Sequence, residues 1–236
     1  MTLSVIVPVF NEQERFNNPA KLLYSYLLKT FPKSSWELIF VNDGSKDNTL
    51  EFLKEFTKNN RKSLYVTYKT NRGKGYAISK GVKKAKGTYV FFMDIDLSVK
   101  PKELPKALAA FKKNKMDVVI GSRRVEGSVI RVHQPKLRET MGHCYTLLTT
   151  TLLGLPLSDL TCGFKGFKKK VAEDIFRKLT ATRWSFDAEV LYKAHKKGYA
   201  IYELPVTWEH VGQSKVNMGF DAVRSFIEVL KVRFQK

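Results

Sequence analysis

The chain has 236 residues and carries 42 Lys and Arg against 22 Asp and Glu, a formal net charge of +20. Its 43% hydrophobic residues are enough to bury a full core, which excludes a disordered chain. No apolar run reaches the length of about 18 residues that a membrane-spanning helix requires. The charge predicts attraction to polyanions such as nucleic acid, an anionic membrane or a phosphorylated substrate, without choosing among them.

Short apolar runs alternate with amphipathic stretches through the first half of the chain. The runs are rich in Val, Ile, Phe and Tyr and predict strands at 3–10, 36–43, 63–69, 88–96 and 116–123. The stretches between them predict helices near 18–30, 47–59, 74–86 and 101–114. Because the runs are apolar without alternation, they suit a mostly parallel sheet covered on both faces. We therefore predict an α/β protein with a Rossmann-like central sheet flanked by helices.

The pattern changes after about residue 124. The stretch 138–158 has no Asp, Glu, Lys or Arg from Thr140 to Ser158. It predicts either a buried core helix or a helix that lies on a membrane surface.

The rest of the second half predicts more helices and one strand. We expect helices near 168–179 and 185–197, a strand at 199–208 and an amphipathic helix at 220–236. This last helix either packs on the core or docks on anionic lipid. Because no repeat or low-complexity linker interrupts the chain, we predict a single domain over 1–236.

Polar residues follow each predicted strand of the first half, and ligands of parallel sheets bind at the carboxyl ends of the strands. The run "VFFMDIDLSV" places Asp94 and Asp96 at the end of a predicted buried strand, where unpaired carboxylates are costly. A turn cap would explain one such carboxylate. The D-x-D pair favours a site for Mg²⁺ or Mn²⁺, which bind one or two carboxylates together with substrate phosphates.

Other nucleotide and metal sites are disfavoured. The segment "GKGYAI" (73–78) begins like a dinucleotide-binding loop but has Ile78 where a small residue is needed, and it follows the third strand. A P-loop is absent from the sequence, the histidines lack metal-ligand spacing, and two cysteines are too few for a four-ligand zinc site.

Several motifs occur in a diagnostic order. The first half carries "SVIVPVFNE", "VNDGSKDNT", "NRGKGYA", "DIDLS" and "GSR". The chain thereby resembles the family 2 glycosyltransferases with the GT-A fold. The second half adds "DLTCGFKGF", "RWSFDAEVLY", "LPVTW" and "GQSKV". These motifs look like those of the enzymes that load a hexose onto a polyprenyl phosphate, especially the dolichyl-phosphate β-glucosyltransferases. Dolichyl-phosphate mannosyltransferases are similar.

The resemblance implies an inverting transfer of a hexose, most often glucose from UDP-glucose, to a polyprenyl or dolichyl phosphate. It implies these nucleotide-sugar-binding residues: Pro8, Phe10, Glu12, Asp43, Lys74, Asp94 and Lys215. It assigns the metal, Mg²⁺ or Mn²⁺, to Asp94 and Asp96, and catalysis to these two and Asp159.

For the acceptor, the resemblance implies that Arg123 and Arg138 hold the phosphate. Asp159 would orient the nucleophile or act as a base. For Asp187 and Glu189, a structural hydrogen bond and a sugar contact both stay open. The half 1–124 would then bind the donor and the half 125–236 the acceptor.

Partners and location follow from the same resemblance. We expect peripheral binding to anionic lipid on the cytoplasmic face of a membrane, through the 140–158 stretch and the C-terminal helix. GDP-mannose as donor and a soluble glycan as acceptor are alternatives. A basic nucleic-acid-binding protein is a third, but specific nucleic-acid binding is not expected, because the sequence has no recognised module for it.

Overall fold

The computed structural model describes residues 2–113, 115–181, 183, 185–212 and 220–234. The strands are β1 (Leu3–Val9), β2 (Trp36–Asn42), β3 (Ser63–Thr67), β4 (Tyr89–Met93), β5 (Val118–Ser122), β6 (Val129–Val132), β7 (Phe164–Lys168), β8 (Ile201–Pro205) and β9 (Thr207–Glu209). The helices are α1 (Asn17–Thr30), α2 (Thr49–Asn59), α3 (Lys74–Lys84), α4 (Glu103–Lys113), α5 (Lys136–Leu153), α6 (Lys169–Phe176), α7 (Phe186–Lys196) and α8 (Phe220–Phe234).

A seven-stranded sheet forms the centre of the molecule, with the strand order β3-β2-β1-β4-β7-β5-β8. β1 pairs in parallel with β2 on one side and with β4 on the other. β7 is antiparallel to both of its neighbours, β4 and β5. β6 and β9 form a separate two-stranded parallel ribbon. The prediction of a mostly parallel α/β sheet is confirmed.

Helices bury both faces of the sheet. On one face Phe16 of the β1–α1 connection packs edge-to-face on Phe40 and Phe56. On the other face Phe92 packs on Phe167 and Phe186. Strands covered in this way must be apolar on both sides, which explains the continuous apolar runs in the sequence.

Most of the predicted elements are found with shorter bounds, although α1 and α5 begin one and two residues earlier than predicted, and two strands were missed. The strand predicted at 199–208 divides at Val206 into β8 and β9. β7 was not predicted because Lys165 and Gly166 interrupt its apolar run, although both lie buried in the sheet. β6 was not predicted because its short sequence is mostly exposed.

The two halves of the chain share one sheet, since β7 and β8 of the second half pair with β4 and β5 of the first. None of the helices in the described ranges is both long enough and apolar enough to cross a bilayer.

The helices α5 and α8 pack against each other and have unusual exposed faces. α5 buries Thr146, Thr149 and Thr150, whereas Leu147 and Leu148 are 68% and 57% exposed. On α8, Ser225, Val229 and Val232 are buried, whereas Phe226, Ile227 and Phe234 are exposed. Each helix therefore packs one side on the molecule and leaves apolar side chains exposed on another. On α5, Tyr145 and Leu152 pack on the core, and only Leu147 and Leu148 of its large apolar residues in this middle part are exposed.

Candidate active site

A cavity of about 580 Å³ opens at the carboxyl ends of the parallel strands. Most of the residues implied by the resemblance line it: Pro8, Phe10, Glu12, Asp43, Lys74, Asp94, Asp96, Arg123 and Arg138. Asp159 lies behind Arg123 and is fully buried. Lys215 falls outside the described residues. The rule that ligands bind beyond the carboxyl ends of parallel strands thus predicted the location of the cavity.

Asp94 and Asp96 lie in the turn that follows β4. The turn is closed by the Leu97 amide, which donates to the Asp94 carbonyl at 3.1 Å, and Leu97 adopts a φ of 52°. The Ser98 amide donates to Asp96 Oδ1 at 2.9 Å. The backbone therefore turns immediately after the strand, and both carboxylates line the same cavity although they are two residues apart.

Lys74, at the start of α3, forms an ion pair with Asp94, with 2.6 Å between Nζ and Oδ1. Burial lowers the pKa of Lys74, but the carboxylates of Asp94 and Asp187 outweigh burial and leave that pKa raised. Burial raises the pKa of Asp96, and the neighbouring charge of Asp94 raises it further. The carboxylate pair therefore carries like charges that a cation would stabilise.

The donor set around Asp94 and Asp96 fits a hard divalent cation. No group of three or more His, Cys, Asp or Glu side chains that could enclose a metal occurs within the described ranges. Two carboxylates beside an open cavity are the arrangement that Mg²⁺ and Mn²⁺ share with substrate phosphates. Gly163 leaves room for the Asp94 carboxylate, because a Cβ added at Gly163 would lie 2.0 Å from Asp94 Oδ2.

At the β2 end of the cavity, Asp43 organises the turn between β3 and α3. Its carboxylate accepts hydrogen bonds from the Tyr68 hydroxyl, the Asn71 side-chain amide and the backbone amides of Arg72 and Gly73, at 2.8 to 2.9 Å. With four donors already bound, the carboxylate has little remaining capacity for a nucleoside. This geometry favours a role for Asp43 in shaping the turn, and direct contact with the nucleoside stays a prediction.

Arg15 lines the cavity and was missed in the sequence. It forms a two-point ion pair with the buried Glu12, and that hydrogen bond raises the pKa of Arg15. The carboxylates of Asp94 and Asp96 raise the pKa of Arg15 further. The signal was available, because "NEQER" places a basic residue just after the end of β1.

Arg123 lines the cavity and forms a two-point ion pair with the buried Asp159. Arg123 Nε and Nη2 donate to the two Asp159 oxygens at 2.7 and 2.8 Å, and the Arg123 amide donates at 3.1 Å. Burial raises the pKa of Asp159, but the Arg123 guanidinium outweighs it and lowers that pKa to about 2. A carboxylate this weakly basic and this enclosed is suited to orienting Arg123 and poorly suited to accepting a proton.

Three arginines gather at this end of the cavity: Arg123, Arg124 and Arg138. Burial lowers the pKa of Arg138, and the positive charge of Arg123 lowers it further. The indole of Trp208 also lines the wall, with the Arg123 guanidinium 5.4 Å from its ring centroid. Because these positive charges repel one another, an anion bound between them would be stabilised. A guanidinium group can donate two parallel hydrogen bonds to two oxygens of one phosphate.

The sequence left the roles of Asp187 and Glu189 undecided, and the structure gives these two residues different surroundings. Glu189 is fully buried and accepts the amides of Thr180 and Ala181, which is a structural role. Asp187 lines the cavity and forms an ion pair with the buried Lys165, at 2.6 Å between Oδ1 and Nζ.

Comparisons with known proteins agree with this geometry. Residues 4–176 match the family model described as glycosyl transferase family 2. A dolichyl-phosphate beta-glucosyltransferase of Dictyostelium discoideum is 30% identical over 242 residues, covering 99% of this chain and 74% of that protein. One of Saccharomyces cerevisiae is 29% identical over 247 residues, covering 98% of this chain and 74% of that protein.

A solved structure shows the same fold. The glucosyl-3-phosphoglycerate synthase of Mycobacterium tuberculosis, in complex with Mn²⁺, UDP and glucosyl-3-phosphoglycerate, superposes with a TM-score of 0.71. It is 17% identical and covers 98% of this chain and 79% of that one. The sheet, the cavity and the family match agree, and the chain belongs to glycosyl transferase family 2, a family of glycosyltransferases with the GT-A fold.

Proposed function

We propose that this glycosyltransferase moves glucose from UDP-glucose to a polyprenyl phosphate such as dolichyl phosphate, with inversion at the anomeric carbon. The observation that carries the proposal is one cavity that is lined by both a carboxylate pair and an arginine cluster. Relatives at about 30% identity over nearly the whole chain bear the name of this activity.

On the donor side, Asp94 and Asp96 would hold a divalent cation against the diphosphate. When bound, the cation offsets the negative charge that develops on the leaving nucleoside diphosphate. Lys74 faces the same region and would contact the diphosphate directly. Pro8, Phe10 and Glu12 would border the base and ribose.

On the acceptor side, Arg123 and Arg138 would hold the phosphate of the lipid. A phosphate monoester is largely ionised near neutral pH, so the reaction needs no strong base. The site must instead hold two anions close together, and the arginine cluster supplies positive charge for that purpose. Asp159 would act by orienting Arg123, not by taking a proton.

The exposed apolar faces of α5 and α8 would dock on the membrane. Leu147 and Leu148 on α5 and Phe226 and Ile227 on α8 are exposed, whereas other residues of the same helices, such as Tyr145 and Ser225, line the cavity. A helix with apolar residues outward and basic residues nearby binds at the interface of anionic lipid. The lipid phosphate would then enter the cavity from the membrane surface.

The remaining parts of the proposal concern location and organisation. The half 1–124 would bind the donor and the half 125–236 the acceptor, within a single domain. We place the membrane contact on the cytoplasmic face. Cys144 and Cys162 are free thiols, which agrees with a reducing compartment.

Thermal stabilisation by nucleotides tests the donor site, because a ligand that binds only the folded state raises its melting temperature. UDP-glucose with Mn²⁺ should stabilise the wild type. Chelator should abolish the shift, and so should Asp94→Asn or Asp96→Asn in folded protein. Stabilisation by GDP-mannose alone would replace glucose by mannose in the proposal. Equal stabilisation with and without metal would contradict the role given to the carboxylates.

A further inference from the structure

Lys165 is a fully buried lysine in the middle of the central sheet. On β7 it lies opposite Phe92 of β4 and Ile120 of β5. Its Nζ donates to the Cys162 carbonyl at 2.8 Å and lies 2.6 Å from Asp187 Oδ1. A buried ion pair contributes little net stability, because desolvation of the charges offsets their attraction. Stability alone therefore does not explain this ion pair, whose Asp187 lines the cavity.

Asp187 lies where the starts of α7 and α3 meet. A Cβ added to Gly75 would lie 2.5 Å from Phe186 Cβ, so the two helix starts are in close contact. Lys74 Nζ stands 5.9 Å from the centroid of the Phe186 ring. Lys74 and Asp187 also line the same cavity. Burial raises the pKa of Asp187, and the charges of Lys165 and Lys74 lower it in part. Lys74 therefore has two carboxylates to interact with, Asp94 in contact and Asp187 nearby.

The charges alternate from the core of the sheet to the cavity: Lys165, Asp187, Lys74, Asp94. A divalent cation held by Asp94 would compete with Lys74 for Asp94 Oδ1, the oxygen that lies 2.6 Å from Lys74 Nζ. Lys74 would then lose this partner. Asp187 would remain beside it, since Lys165 holds that carboxylate in place and compensates part of its charge.

We propose that the Lys165–Asp187 pair is a positioning device for the donor site, which retains Lys74 in the cavity when a cation takes Asp94. Lys74 then faces the diphosphate of the nucleotide while the cation faces it from Asp94 and Asp96. This inference rests on the proposed function. It implies that the cation and the nucleotide each raise the affinity for the other, and that this coupling depends on Asp187.

The test is the dissociation constant of UDP with and without Mn²⁺, measured by calorimetry. The ratio of the two constants is the coupling factor. In Asp187→Asn we expect the coupling factor to fall about tenfold, because Lys74 is lost from the cavity only in the metal-bound state. UDP binding without metal should change little, since Asp94 then still holds Lys74.

A matched control uses the second ion-paired lysine of β7, Lys168. Asp117 pairs with Lys168 of β7 at 2.9 Å, outside the cavity, so Asp117→Asn should keep the wild-type coupling factor. If Asp187→Asn fails to fold around the lone buried lysine, the pair variant Lys165→Met/Asp187→Asn removes both charges and should show the same tenfold loss.

The outcomes separate two failures. A wild-type coupling factor in Asp187→Asn or in the pair variant overturns the inference, and so does an equal loss in Asp117→Asn. A wild type that binds no UDP in the presence of Mn²⁺ overturns the proposed function and this inference with it.

Discussion

Arg123 and Asp159 illustrate how single residues in this site depend on one another. The Asp159 carboxylate accepts the Arg123 side chain at two points and also the Arg123 and Thr161 amides. Such a carboxylate fixes the direction of the guanidinium that faces the cavity. The resemblance marked Asp159 as catalytic, but its location behind Arg123 supports a positioning role, and that role stays a proposal.

Replacing Asp159 by Asn should destabilise the protein by about 3–5 kcal/mol, because it removes one partner of a buried ion pair. Urea unfolding at neutral pH measures this change. The matched variant Asp117→Asn, whose pair with Lys168 is partly exposed, should cost less than about 1 kcal/mol. Equal costs in the two variants would contradict the strength assigned to the buried pair.

The same pair predicts a pH dependence. The pKa of Asp159 is lowered from 3.8 to about 2 in the folded state, so its stabilisation is complete above the unfolded pKa and is lost as the pH falls through the folded pKa. The difference in unfolding free energy between the wild type and Asp159→Asn should shrink by about 1 kcal/mol between about pH 5 and pH 3. A constant difference over that range would contradict the lowered pKa.

Gly163 gives a second prediction at the scale of a residue. Its φ lies outside the left-handed region, so Ala is compatible with the backbone, but the new Cβ would displace the Asp94 carboxylate. We expect Gly163→Ala to weaken Mn²⁺ binding by about tenfold or more, about 1.4 kcal/mol or above, with the fold retained. Competition for Mn²⁺ followed by electron paramagnetic resonance measures this affinity.

Gly142→Ala is the control for that measurement. A Cβ at Gly142, inside α5, would meet no atom within 4 Å apart from the neighbouring backbone of its own helix, so Mn²⁺ binding should stay at the wild-type level. Unchanged Mn²⁺ affinity in Gly163→Ala would show that Asp94 does not need its present position to bind the cation.

Among the elements, most strands of the first half were predictable because they are buried on both faces and carry continuous apolar runs. β7 was not, since Lys165 and Gly166 contradict that pattern. Lys165 is tolerated there because Asp187, on a helix later in the chain, and the Cys162 carbonyl both pair with its ammonium group. Such a long-range contact leaves no periodic signal in the sequence.

The same reasoning explains how much of the site could be predicted. Residues that follow parallel strands, such as Asp94 and Arg123, were expected at one rim and lie there. Trp208 lines the cavity from β9, which belongs to the two-stranded ribbon. The sequence pattern predicted one strand for β8 and β9 together, so this contribution could not be predicted. The pairing of Asp159 with Arg123 likewise required the fold to be known.

The outward leucines of α5 make a prediction at the scale of an element. Leu147→Ser/Leu148→Ser should reduce binding to anionic lipid vesicles by about tenfold or more, because burying a leucine contributes about 1.5–3 kcal/mol. Binding of UDP should stay unchanged. Sedimentation with vesicles measures the loss. Leu22→Ser/Leu28→Ser on α1, which also removes two exposed leucines, should bind vesicles as the wild type does.

For the whole molecule, the net charge of +20 should make vesicle binding sensitive to salt. Each basic residue near an anionic surface contributes about 1 kcal/mol, and this attraction is screened within a Debye length. Binding to vesicles with anionic lipid should therefore weaken as salt is raised and should be weaker still with zwitterionic lipid alone. Salt-independent binding to both vesicles would assign the contact to apolar burial without charge.

The central claim is that the cavity joins a nucleotide-bound glucose to a lipid phosphate at its arginine end. The most direct measurement is transfer of labelled glucose from UDP-glucose to dolichyl phosphate in vesicles with Mn²⁺, followed by extraction of the lipid product. We predict a labelled lipid product from the wild type and none from Asp94→Asn or from the wild type with chelator. Hydrolysis of UDP-glucose or transfer to a water-soluble acceptor, with no labelled lipid, would contradict the account.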